Sequence, residues 1–91
     1  MHWSAFPGGD LIERGLADLA EGRESAESLL VSIGAPRLRS AGVVFPRTPI
    51  GEPEHRLYDL LCLEGSDAAH GRYNALVRRL VSFERALCAT R

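Results

Sequence analysis

The residues of this chain best suited to chemistry lie in its last third. His70, Asn74 and Arg78 recur at intervals of four, which places them along one side of a helix, with Tyr73 beside them. An imidazole, an amide and a guanidinium in one row suit a small anion, a phosphate or a polar partner surface. Glu84 is different in kind. At about 100° per residue it falls inside the apolar stripe, close to Val77 and Leu80. A carboxylate there must be paired, hydrogen-bonded or at an interface, because an isolated buried charge is costly. The expected partner is an Arg from a neighbouring helix. A further reading gathers His70, Tyr73, Asn74 and Glu84 into one pocket for a small ligand or a reaction.

Other constellations were weighed and set aside. Glu52-Pro53-Glu54-His55 and Asp67-Ala68-Ala69-His70 both have the acid-x-x-His spacing of di-metal bundles. Glu52 precedes a proline, however, and should stand outside the helix that carries His55. His55 and His70 also begin successive helices, whose starts lie apart in an antiparallel pair. His55 with Asp59 reads better as a local i, i+4 pair. No metal or cofactor is expected. No Cys–His or Ser–His pair has local support, and Gly8-Gly9 follows no strand that would make it a phosphate loop. No catalytic residue is therefore assigned.

The element that positions these residues is a long helix from Ser66 to Arg91. Ser66 is a good N-cap, and Asp67 suits the positive end of the helix dipole. Ala69, Tyr73, Leu76, Val77, Leu80, Phe83 and Leu87 then recur every three or four residues, the period of one buried face. A helix of about 22 residues is roughly 33 Å long and should span the whole domain. Its far end, with Leu87 and Cys88, is an expected place for self-contact.

Before it come a short arm and four shorter helices. Residues 1–9 form the arm, with Trp3 and Phe6 expected to dock on the core. Asp10 opens a first helix that ends at Gly22, and Gly15 inside it allows a close approach of another helix. Ser25 caps a second helix, which Gly34 stops. Pro36 starts a short third one, which Gly42 ends. Pro46, Pro49, Gly51 and Pro53 make residues 45–52 a surface loop. Pro53 opens a fourth helix that ends at Gly65. No segment alternates with a period of two. The expected fold is all-α: one domain over residues 1–91, a small helical bundle of four main helices plus one short helix, with the long helix at the C-terminus.

Composition narrows the function classes. Apolar residues are 45% and charged residues 25% of 91, which suits one globular domain with a modest core. Every basic residue is Arg, as a GC-rich bacterial genome would give, so every cation is a planar fork suited to carboxylate or phosphate. Residues 1–34 carry a net charge of −4 and residues 35–91 carry +3. The acidic part is expected to pack on, or face, the basic part. The overall charge of −1 gives no general drive toward nucleic acid. Two cysteines, Cys62 and Cys88, read as reduced residues of a cytoplasmic protein. The first residues lack a signal-peptide pattern, and no apolar run is long enough for a membrane span.

The leading expectation is a protein that works by contact with itself or with another protein, as an adaptor, regulator or subunit, through Tyr73, Asn74, Arg78 and Glu84, with Leu80 and Leu87 for self-contact. The alternative is nucleic-acid binding through the Arg-bearing last helix. Glu27 to Val43 faintly resembles a helix-turn-helix, but its second helix is too short to fill a major groove. The third reading is a small-ligand binder or enzyme around His70, Tyr73 and Asn74.

Overall fold

Ser25 caps the helix at the centre of the molecule. In the computed structural model, which describes Trp3 and residues 5–90, its hydroxyl oxygen accepts from the Ser28 N–H at 3.1 Å, and the Ser28 hydroxyl oxygen accepts from the Ser25 N–H at 2.7 Å. This reciprocal box satisfies two donors that a helix start would otherwise leave unpaired. It opens α2 (Ala26–Ile33), which follows α1 (Gly9–Ala20) and precedes the six-residue α3 (Ala35–Ser40). The last element is α4 (Pro53–Ala89).

α4 is not one straight rod. A straight helix of 37 residues would be roughly 55 Å long, whereas the longest dimension of the molecule is 39 Å. The backbone leaves helical geometry at Gly65 alone. The rings of Tyr58 and Tyr73 meet with centroids 5.7 Å apart, although 15 residues of helix would separate them by roughly 22 Å. Arg72 also reaches back to Glu64 at 2.6 Å. The chain therefore reverses at Gly65, and limbs 53–64 and 66–89 lie side by side. The count of four main helices and one short helix is corrected accordingly. The break falls at Gly65, where the fourth helix was expected to end, and the last helix follows at once, so the two run on as one element interrupted by a single non-helical residue. The second limb runs nearly the length of the molecule, as its stripe required.

α2 is the central element, packed against α1, α3 and α4. Leu29, Leu30 and Val31 are fully buried there, against Ile12 of α1, Leu38 of α3, and Leu57, Leu61, Leu80 and Phe83 of α4. Each such side chain contributes about 1.5–3 kcal/mol relative to exposure. Gly15 permits the α1–α2 approach: a Cβ there would lie 2.4 Å from the Glu27 carbonyl oxygen. The N-terminal arm docks as expected. Trp3 and Phe6 both pack on Phe83, each with centroids 5.8 Å from its ring. Met1, His2 and Ser4 of that arm, and Arg91 at the far end, lie outside the described residues.

Asp10 does not cap α1. The cap position is Gly8, in the left-handed region at φ 73°, and a Cβ there would lie 2.6 Å from the Arg79 carbonyl oxygen. Only glycine combines that backbone angle with that approach. Asp10 lies in the first turn instead and accepts from Arg79 at 2.9 Å. Loop 45–52 is tied down by the Ile50 N–H, which donates to the Ser32 hydroxyl at 3.0 Å. Among the described residues there is no β-strand, and no helix is long and apolar enough to cross a membrane.

Candidate functional site

The residues singled out from the sequence divide between two places. Fourteen residues of helix separate His70 from Glu84, roughly 21 Å along the second limb. They cannot line one pocket, and the expected grouping of His70, Tyr73, Asn74 and Glu84 is not formed.

The first place is the outer face of the α4 hairpin. Tyr58, from the first limb, stands between His70 and Tyr73, with ring centroids 6.5 Å and 5.7 Å away. His70 Nε2 and Asn74 Nδ2 are 3.2 Å apart, the local bond their spacing predicts. Tyr73 is half-buried, and burial, reinforced by the Glu54 charge, pushes its phenol pKa up. Arg78 continues the row toward the C-terminus. It is exposed and makes no ion pair among the described residues. At the tip of the hairpin Leu63 is 84% exposed.

The second place is a cleft of about 370 Å³ between α3 and the end of α4. Pro36, Leu38, Ala41, Leu87 and Cys88 supply its apolar wall, with Glu84 and Arg37 as its charged residues. Glu84 Oε1 lies 3.6 Å from Arg37 Nη1, so the expected arginine from a neighbouring helix is present. The pairing is loose, because 3.6 Å is beyond a good hydrogen bond and the Arg37 side chain is 79% exposed. Glu84 itself is 11% exposed. Its Oε2 is buried with no hydrogen-bond partner among the described residues. Burial pushes the Glu84 pKa above its ordinary value, and Arg37 only partly opposes this. Gly34 lets Glu84 lie so deep: a Cβ at Gly34 would be 3.0 Å from Oε2.

Leu80 and Leu87, expected at a self-contact, belong to the core of the single chain at 4% and 5% exposure. Leu87 reaches the surface only as part of the cleft wall. The end of α4 therefore lies against the body rather than projecting with a free apolar face.

Among the described residues, Asp10 pairs with Arg79 and Glu24 with Arg56 across the charge halves. Other pairs are local, including Arg23 with Asp18 and Glu21. On α3, Arg37 faces Glu84 and Arg39 lies over the Phe45 ring at 5.2 Å, so both arginines of the helix-turn-helix-like stretch are engaged within the chain. His55 pairs with Asp59 at 3.3 Å, as its spacing implied. Among the described residues no three His, Cys, Asp or Glu side chains converge as metal ligands would.

Sequence reasoning missed Tyr58 and the α3 side of the cleft. Tyr58 lies outside the apolar stripe of its own limb, and only the reversal at Gly65 brings it to His70. For the cleft there was one signal, a glutamate in an apolar stripe that required an arginine. Nothing in the sequence chose Arg37 over Arg39.

Compared with known protein families, curated proteins and solved structures, the chain gives no match.

Proposed function

We propose that this is a cytoplasmic protein that works by contact with another copy of itself or with another protein, as an adaptor, regulator or subunit. The contact surface is the outer face of the α4 hairpin, centred on Tyr58, His70, Tyr73 and Asn74, with Arg78 at its edge. One observation carries the reading. Aromatic rings from both limbs meet at a partly exposed edge, and one helical turn beyond Asn74 on the same limb Arg78 is exposed with no acidic partner among the described residues. Tyrosine and arginine are the side chains that dominate protein interfaces, because each joins a large apolar body to a polar end. The two free cysteines and the lack of a membrane-crossing helix among the described residues accord with the proposed compartment.

The test is solution mass by light scattering at low and high salt, on the wild type and on Tyr58→Ser and Arg78→Glu. A dimer that reverts to monomer in the variants, with helicity unchanged, supports self-contact through this face. If the wild type is monomeric, the partner is another protein, and a partner captured by the wild type must be lost by Arg78→Glu. A monomer whose captured proteins are unaffected by both substitutions rejects the proposal.

A further inference from the structure

The α3–α4 cleft is a second site, distinct from the hairpin face, and its chemistry defines a ligand class. Its volume of about 370 Å³ falls within the range of small-molecule sites, which are mostly apolar with a few placed polar groups. The wall formed by Pro36, Leu38, Ala41, Leu87 and Cys88 would favour an apolar body. The polar groups are few and unequal. Glu84 is a buried carboxylate, whereas Arg37 is a largely exposed cation at the rim.

This arrangement leaves a negative charge under-compensated. Taking a carboxylate out of water is costly unless a close partner and full hydrogen bonding offset it. Arg37 does neither, since its nearest nitrogen is 3.6 Å away and solvent screens it. Oε2 rests against Gly34 without a donor among the described residues. Among the described residues lining the cleft, Arg37 is the one cation. α2 presents its Gly34 end, α3 presents Arg37 alone, and the α4 residues sharing the cleft are Leu87 and the Cys88 thiol. Oε1, the oxygen on the Arg37 side, is the acceptor left for an incoming group. A cation bound there would neutralise the carboxylate as a whole, because both oxygens share the charge.

We infer that the α3–α4 cleft binds a small primary amine with an apolar body, its ammonium group on Glu84 and its hydrocarbon part along Leu38, Leu87 and Cys88. Arg37 swings into solvent as the ammonium takes its place, which its exposure permits. A charge-assisted N–H···O bond of normal length would replace a long and screened pair. An anionic amphiphile does not fit, since its head could reach only Arg37 while its tail would be laid over the Glu84 carboxylate.

The test uses hexylammonium as the probe, with hexanol and hexanoate as matched controls and Nα-acetyl-lysine amide as an amine with a polar body. Backbone amide shifts of the intact protein are followed at neutral pH. Hexylammonium should move the amides of residues 37–41 and 84–88 and bind at least about tenfold more tightly than hexanol. Nα-acetyl-lysine amide should bind more weakly than hexylammonium. Glu84→Gln, which keeps shape and removes charge, should abolish the preference for amine over alcohol, and Arg37→Ala should strengthen amine binding. The preference should also fade as pH falls through the raised pKa of Glu84. Equal binding of amine and alcohol, tighter binding of hexanoate, or an amine preference that survives in Glu84→Gln overturns the inference. None of these outcomes bears on the hairpin face, whose residues lie elsewhere.

Discussion

Asp18 and Ser25 are joined by a 2.7 Å hydrogen bond across the turn between α1 and α2, so the group that caps one helix is held by the end of the other. Asp18 also accepts from Arg23 at 2.8 Å, and it is only 8% exposed. The Ser25 hydroxyl bond, reinforced by Arg23, holds the Asp18 pKa below its ordinary value. A carboxylate whose folded-state pKa is depressed contributes stability above its unfolded pKa and loses it as pH falls through the folded value. Acid unfolding should therefore draw on Asp18 below about pH 4, and Asp18→Asn should flatten that part of the stability profile. At neutral pH Asp18→Ala should cost about 1–3 kcal/mol by urea denaturation, since Ser25 and Arg23 lose their acceptor.

Glu84 has the opposite sign. Its pKa is raised by burial, so the folded state holds its proton more tightly than the unfolded chain does. Stability should then fall as pH rises from about 4.5, the ordinary glutamate value, through the folded pKa. Across that window the wild type should lose up to about 1.4 kcal/mol per pH unit relative to Glu84→Gln. Parallel stability curves for the two proteins would remove Glu84 as the cause.

Two glycines should respond in opposite directions to the same substitution. At Gly15 a Cβ would meet the Glu27 backbone, which cannot move aside like a side chain, so Gly15→Ala should cost about 1–3 kcal/mol. At Gly71 a Cβ meets nothing within 4 Å, and the residue is helical and exposed. Gly71→Ala should stabilise the protein by about 0.5–1 kcal/mol. Thermal melts of both variants check the pair.

Trp3 is the sole tryptophan, and it stands edge-on to Phe83, which is fully buried. Phe83→Ala should cost about 3–5 kcal/mol and shift the Trp3 emission to the red as the arm loses its anchor. Unchanged emission from a folded variant would show that the arm is held by other contacts.

The cysteines should be distinguishable by rate. Cys88 is exposed and Cys62 half-buried, and neither is in a disulfide. Under native conditions a thiol reagent should label Cys88 first, with Cys62 reacting at a comparable rate only in denaturant. Mass spectrometry of partly labelled protein reads the order directly.

The pattern of the second α4 limb was legible because one stripe from Ala69 to Leu87 obeys a single period, and every residue of it is buried or half-buried. Ser25 and Gly34 marked the ends of α2 for local reasons, a side-chain cap and a helix stop. Gly8 was not legible as the α1 cap, because its role comes from the Arg79 carbonyl that approaches it, and Arg79 is far away in the sequence. The cleft was half legible. Glu84 announced a buried charge, but its depth depends on Gly34 and its loose pairing on how α3 docks, and both are tertiary facts. Leu80 and Leu87 were legible as members of a buried face, but periodicity does not say whether the same chain or a second copy covers that face.

Loop 45–52 separates two structures of similar kind. On one side α1 and α2 turn back on each other through five residues, and on the other the limbs of α4 turn back at Gly65. Each has an apolar face that the other covers, and only the chain near Arg47 and Thr48, both exposed, runs between them. The covalent link there should be dispensable once folding is complete. A protein nicked after Arg47 should stay assembled and elute as one species. The two fragments, each short of a closed core, should refold only when mixed, which makes this domain a natural split pair.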